Sequence, residues 1–284
     1  MSVPVVTIAP WQLNNGEAGT SPADYGRHML AEGDSWFAYG SVLGFNQLNF
    51  LRFTRRTLIT QTAMPGDTLD HMADWWRDSN FPSLIDGGSY GNRAWKFDAI
   101  LLSGGGNDLI DAVSDQYVDQ RILRLCSTTS PPATAADCVH EAAWAQFEVY
   151  LRANFKKVSD FVAASIKNHD TPIFVHTYDH LTPRDAPAVP GFGPWLLPAL
   201  QVHRVPAALW QPVADLLIDR LRGVIRSLGL PNVHVVDTVG TLTPAVPGST
   251  GQSNDWLNEI HPSRGGFRKL APLWQQTIEA TIGA

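Results

Sequence analysis

Four short stretches of this 284-residue chain carry groups able to act on a carbonyl: Gly33-Asp34-Ser35, Gly66, Gly105-Gly106-Asn107-Asp108 and His261-Pro262. The first three each follow an apolar run that reads as a β-strand. They therefore fall where open α/β sheets bind ligands, at the carboxyl ends of strands. A serine at a strand-to-helix turn exposes its hydroxyl at the top of the sheet. Its own N–H then lies near a helix N-terminus, where partial positive charge helps hold an oxyanion. A glycine on the neighbouring turn offers an unobstructed N–H, and an asparagine on the third turn can donate its side-chain amide to the same point. Such a serine still needs a general base, and His261, ahead of the last helical stretch, is the candidate. Taken singly, each stretch also reads as an ordinary turn or strand exit. Together they make a hydrolytic site.

Holding these groups requires strands that deliver their ends to one edge of a sheet. Five β-rich runs alternate with helical patterns: "RHMLAEGDS", "RRTLITQTA", "FDAILLSGGG", "TPIFVHTYD" and "NVHVVDT". Their apolar residues are continuous, as expected when both faces of a parallel sheet are covered. Between them run stripes of 3.6-residue period: Trp144, Phe147, Leu151, Val158, Phe161 and Val162; Leu209, Val213, Leu216, Leu217, Leu221, Val224 and Ile225; and Phe267, Leu270, Trp274 and Ile278. Strand–helix alternation of this kind predicts a doubly wound α/β layer sandwich. Residues 1–24 read as an N-terminal arm and residues 25–284 as a single domain, with no internal repeat and no dividing linker.

The four chemistry-bearing stretches, in this order, resemble the motifs of the SGNH or GDSL-type serine hydrolase superfamily of esterases and lipases. They span about 230 residues, with the serine near the start and the histidine near the end, as that family has them. The resemblance implies Ser35 as nucleophile and His261 as base, with the Ser35 N–H, Gly66 and Asn107 forming the oxyanion hole. It implies a flavodoxin-like three-layer α/β/α sandwich with five parallel strands, in agreement with the count above. It also implies that no metal or organic cofactor takes part.

The chain departs from the family at one position. The family usually has an acid three residues before the histidine, and here that residue is Asn258. An asparagine carbonyl can accept the Nδ1–H bond and fix the tautomer, but it brings no charge to the imidazolium. Asp255 lies one helical turn further back, and Glu259, next to Asn258, points elsewhere if the segment is extended. The order of expectation is Asn258, then Asp255, then Glu259. Of the other histidines, His176, His180, His203 and His234 are expected in satisfied structural roles, with His176 and His180 able to line the cleft.

Residues 179–206 form an insertion carrying six prolines together with Phe192, Trp195, Leu196 and Leu197. A loop this long without secondary structure is uncommon in a compact domain and often serves binding. Its apolar bulk reads as a substrate wall. Trp36, Phe37 and Tyr39 follow the serine, and Trp36, Phe37 and Trp195 are the expected substrate-binding residues. This favours carboxylic esters with hydrophobic acyl groups over acetylated sugars, although aromatics also stack on sugar rings. A carbohydrate O-deacetylase or a thioesterase of the same fold is the alternative within the class.

Composition bounds the partners. The chain is 44% hydrophobic and 17% charged, the latter low against about 25% in typical domains. A net charge of −6 argues against nucleic acid, which needs clustered Lys and Arg. No run of about 18 apolar residues predicts a transmembrane segment. The start, "MSVPVVTIAP", lacks a basic n-region and a sustained apolar h-region. A cytoplasmic location is the expectation, with secretion the alternative had a leader preceded this sequence. Cys126 and Cys138 bracket a Pro/Thr/Ala segment, leaving a disulfide and two thiols both open. Two further classes remain. A binuclear metallophosphoesterase also uses Gly-Asp and Gly-Asn turns, but "GDSW" and "GGND" lack the paired histidines it needs. A silent binding module on the same fold is motivated by Asn258. The expected partner is a small-molecule ester, and the sequence leaves the oligomeric state open.

Overall fold

Parallel pairing of the apolar runs builds the sheet. The computed structural model describes residues 2–38, 44–74, 80–87, 94–114 and 121–284, and Tyr39 lies outside them. Among these residues six strands run parallel: β1 (Val6–Ile8), β2 (Arg27–Gly33), β3 (Thr57–Gln61), β4 (Ala99–Ser103), β5 (Ile173–His176) and β6 (Val233–Val236). Their order across the sheet is β1-β3-β2-β4-β5-β6. Five of them coincide with the five apolar runs. The count of five is corrected by β1, which comes from the segment expected as an arm and pairs Val6 with Leu58 and Ile8 with Thr60. It is only three residues long, at the sheet edge and partly exposed, so neither length nor pattern marks it in the sequence. Just before it, Val3–Pro4 pairs antiparallel with Arg52–Phe53.

Helices cover both faces. They are α1 (Ser35–Ala38), α2 (Leu69–Met72), α3 (Gly106–Ser114), α4 (Glu141–Ala164), α5 (Leu196–Val202), α6 (Trp210–Arg226) and α7 (Arg264–Ile282), with further short helices at Pro10–Asn15 and Asn80–Asp86. Because strand side chains alternate, each strand supplies two cores. Leu30, Leu58, Ile100, Leu102 and Val175 pack with Leu151 and Val158 of α4 and with Leu217 and Leu221 of α6. Met29, Ala31, Ile59, Leu101 and Phe174 pack on the other side with Phe37, Trp274 and Ile278. The architecture is thus the three-layer α/β/α sandwich. Burial of a side chain such as Leu221 or Ile278, both 0% exposed, contributes about 1.5–3 kcal/mol.

The register decides where the chemistry sits. Gly33 at the end of β2 pairs with Ser103 at the end of β4, so Asp34-Ser35 and Gly104-Asn107 leave the sheet side by side. The chain passes from β2 to β3 on one side and from β3 back across to β4 on the other, which makes the end of β2 the switch point of the sheet.

The 179–206 insertion is tied down rather than structureless. It contains α5, and Arg184 within it is 1% exposed, its guanidinium donating to Ser249 O (3.2 Å) and Asn258 O (2.6 Å). Cys126 and Cys138 are both buried thiols, and burial beside Cys126 pushes the Cys138 thiol up to about 12. Among the described residues no helix is long and apolar enough to cross a membrane.

Candidate active site

A glycine ends β2 because nothing larger fits. Gly33 has φ +148°, and a Cβ there would lie 2.5 Å from the Ser103 carbonyl oxygen. This close approach lets the Asp34 N–H reach Ser103 O at 2.9 Å and starts α1 at once, with Phe37 N and Ala38 N donating to Asp34 O. The Asp34 carboxylate then caps the turn. Its Oδ1 accepts from Trp36 N (2.9 Å) and Ser103 Oγ (2.7 Å), and its Oδ2 accepts from the Tyr178 hydroxyl. Complete burial pushes the Asp34 carboxyl up to about 6 against these hydrogen bonds. His176 continues the network. Its Nδ1 accepts from Tyr178 N (3.2 Å), so its proton sits on Nε2 and is donated to Ser103 Oγ (2.8 Å). Ser35 is therefore presented from a turn fixed on three sides.

The imidazole facing Ser35 comes from the loop before α7. Ser35 Oγ lies 2.7 Å from His261 Nε2, and His261 Nδ1 lies 2.9 Å from Asn258 Oδ1. The same Oδ1 accepts from the backbone N–H groups of Ile260 (3.1 Å) and His261 (2.9 Å). Backbone donors converge only on an oxygen, so this atom is the amide carbonyl and the His261 proton must be on Nδ1. Nε2 is then a lone pair able to take the Ser35 proton. His261 is 2% exposed, and burial depresses its pKa to about 3, keeping the imidazole neutral. Past the histidine, Ser263 caps α7 by accepting from Gly266 N (3.2 Å), which fixes the loop to the helix.

Both carboxylates near His261 turn away. Asp255 accepts from Thr243 N (2.7 Å) and from Lys269 Nζ, so it is not the partner of the imidazole. Burial raises its carboxyl, but the Lys269 and Thr243 hydrogen bonds outweigh that and hold it below the ordinary value. Glu259, 0% exposed, accepts from the N–H groups of Trp195, Leu196 (2.9 Å), Leu197 (2.8 Å) and Arg184 (3.3 Å). It caps α5 and ties the insertion to the histidine loop, and burial raises its carboxyl.

Gly66 and Asn107 lie on two neighbouring turns. Gly66 has φ +82° in an exposed turn anchored by Met64 N on Gly33 O (2.8 Å). A left-handed φ at this point suits glycine. The Asn107 amide donates to Asp67 O (2.9 Å), next to Gly66. The glycines before Asn107 are set by packing, since a Cβ on Gly104 would meet Leu69 at 2.7 Å and one on Gly106 would meet Tyr178 at 2.8 Å. Asp108 accepts from Tyr150 Oη (2.6 Å) and Leu69 N (3.1 Å), joining α3 to α2 and α4, and burial pushes its carboxyl up to about 6.

Ser35, Trp36 and Asn107 open onto one cavity of about 40 Å³ walled by Leu109, Ile110, Leu181, Ile218 and Trp256. Trp36 also packs at a tilt against His176, with ring centroids 5.0 Å apart, and donates from Nε1 to Ile260 O (3.3 Å). Phe37 corrects an expectation. It is fully buried between His176 (6.2 Å) and Trp274 (5.4 Å) and cannot touch a substrate from there. Trp195 is at the site but not, among the described lining residues, in that cavity: it stands edge-on to His261 with ring centroids 5.5 Å apart. His180 pairs with Asp219 at 3.0 Å. Sequence reasoning missed the Ser103–His176–Tyr178 network, the Glu259 cap and the cavity walls. Leu109 and Ile110 could have been found, because they follow Asn107 on the same helix. Nothing in the sequence places Ile218 beside Ser35. Among the described residues, no three His, Cys, Asp or Glu side chains are grouped so as to hold a metal ion.

No protein-family model matches the chain, and no curated protein matches its sequence. Solved structures do match it. An extracellular lipase from Streptomyces rimosus is 14% identical, with a TM-score of 0.49 over 88% of this chain and 99% of that one. A lipase from a goat rumen metagenome is 12% identical, with a TM-score of 0.49 over 88% and 97%. The acetylxylan esterase Axe2 from Geobacillus stearothermophilus is 14% identical, with a TM-score of 0.43 over 89% and 94%. The chain is similar in overall fold to these lipases and this esterase.

Proposed function

We propose that this protein is a serine ester hydrolase acting on carboxylic esters with apolar acyl groups through an acyl-Ser35 intermediate. The observation that carries the reading is the chain of contacts Ser35 Oγ to His261 Nε2 at 2.7 Å and His261 Nδ1 to Asn258 Oδ1 at 2.9 Å. A serine hydroxyl on the lone pair of a buried neutral imidazole is an activated nucleophile. Ser35 Oγ attacks the ester carbonyl carbon and its proton passes to Nε2. The carbonyl oxygen becomes an oxyanion facing the Ser35 N–H, the Gly66 N–H and the second hydrogen of the Asn107 amide, whose first is held by Asp67 O. Collapse breaks the bond to the alcohol, and the imidazolium returns its proton to the leaving oxygen. Water, deprotonated by the same Nε2, then releases the acid and frees Ser35. Asn258 aligns the imidazole with a carbonyl dipole in place of a charge, and its three N–H donors hold that dipole still.

The test is covalent. A fluorophosphonate should label Ser35 stoichiometrically, and Ser35→Ala should lose both labelling and turnover of p-nitrophenyl acetate while keeping the wild-type melting temperature. Activity abolished by a chelator, with Ser35 unlabelled, would point instead to metal-dependent chemistry. An unlabelled serine with no esterase activity at all would make the protein a binding module.

A further inference from the structure

The cavity beside Ser35 is apolar and small. The two carboxylates at its edge are spent on the protein itself: Asp34 accepts from Trp36 N, Ser103 Oγ and Tyr178, and Asp179 accepts from Gly240 N, Thr241 N and Leu242 N. What faces a substrate is Leu109, Ile110, Leu181, Ile218 and two tryptophans. Resting on the esterase reading above, we propose that this cavity is the acyl pocket and that it restricts the enzyme to short acyl chains, acetyl to butyryl, with Leu109, Ile110, Leu181 and Ile218 setting the limit.

The direction follows from the tetrahedral carbon on Ser35 Oγ. Its oxyanion points to the Asn107 amide and the Gly66 N–H. Its leaving oxygen must reach His261 Nε2, which protonates it. The acyl chain takes the remaining direction. Among its described lining residues the cavity includes Ser35 and Asn107 but not His261, and the acyl chain is assigned to it. Trp195, edge-on to His261 at 5.5 Å, stands on the leaving-group side, which removes the insertion tip from the acyl wall. Leu181, near the start of the insertion, is the insertion's apolar contribution to the pocket.

The size follows from the volume. A cavity of about 40 Å³, against about 320 and 280 Å³ for two others of this chain, admits only a short chain, and the proposed limit is about three carbons beyond the carbonyl, which is butyryl. Each methylene that fits gains about fourfold in kcat/KM from apolar burial. The next ones must displace the side chains that wall the cavity, where overpacking is resisted.

The experiment is a p-nitrophenyl ester series, acetate to octanoate, read as kcat/KM. The expected profile rises to butyrate, about fifteenfold above acetate, and falls tenfold or more by octanoate. Leu181→Ala should move the maximum to hexanoate. Ile110→Phe should lower butyrate relative to acetate by about tenfold. Leu181 is preferred to Ile218 as the enlarging site because Ile218 lies inside α6 and its truncation endangers the fold. A Ser35-labelled enzyme that turns over octanoate as well as butyrate overturns the proposal and leaves the esterase reading standing. So does a profile that neither variant moves. No hydrolysis of any ester, with Ser35 unlabelled, overturns both.

Discussion

Replacing Asn258 by aspartate places a formal charge where the chain now has a dipole. The substitution keeps Oδ1 as acceptor for the Ile260 and His261 N–H groups and for His261 Nδ1, so the loop geometry is retained. At a charge separation of about 4 Å and an effective dielectric of about 20, the attraction between carboxylate and imidazolium is about 4 kcal/mol, equivalent to about 3 pKa units. Neighbouring opposite charges shift pKa values by about 1–3 units in practice. Burial now holds His261 at about 3. In Asn258→Asp it should titrate between about pH 4 and 6, because an anion favours the protonated ring. Only the neutral imidazole accepts the Ser35 proton, so the acid limb of kcat/KM should move up by the same interval. Above that limb the rate should rise about tenfold or more, since the imidazolium formed during attack is stabilised. The new carboxylate lies at a site that is 2% exposed, and its burial should lower the melting temperature.

The assay is kcat/KM for p-nitrophenyl acetate against pH for both proteins, with thermal denaturation alongside. A wild-type limb near the ordinary histidine value would mean that the imidazole is not desolvated as the packing demands. A limb that stays in place in Asn258→Asp would refute the claim that Asn258 faces Nδ1.

Asn107→Ala should lower kcat by about 10²-fold or more with little change in KM, the size of one lost oxyanion donor, and a change confined to KM would reduce Asn107 to a binding residue. Asp255→Asn should reduce kcat/KM by about tenfold or less, because its carboxylate lies on Thr243 and Lys269; a loss near the ~10⁴-fold of an amidated triad aspartate would reinstate it as the orienting acid. Glu259→Gln puts an amide NH₂ against the N–H groups at the start of α5, and with at least one of them unsatisfied stability should fall by about 1–3 kcal/mol in urea titration, an unchanged midpoint showing that the insertion is not held there.

The parts of the molecule legible in the sequence are those whose environment is uniform over several residues. β2 to β6 lie between two helical layers, and that burial writes itself as unbroken apolar runs. β1 carries no such mark, since it is partly exposed and gains its strand conformation only from pairing with β3. Phe37 could have been placed from the sequence. Two residues along a helix is about 200° around its axis, so if Ser35 faces the site, Phe37 faces the core. The segment before His261 is harder, because it holds two acids and one amide within reach and the sequence ranks them only by spacing. The deciding facts are distant. Asp255 is claimed by Lys269 on the next helix and by Thr243, and Glu259 by the start of α5 some sixty residues back, where helix N–H groups need an acceptor. With both acids committed to backbone and lysine partners, the side chain left for the imidazole is the neutral one. That selection also explains how a histidine this deeply buried stays neutral, since among the described residues both neighbouring acids are held elsewhere and desolvation keeps it unprotonated.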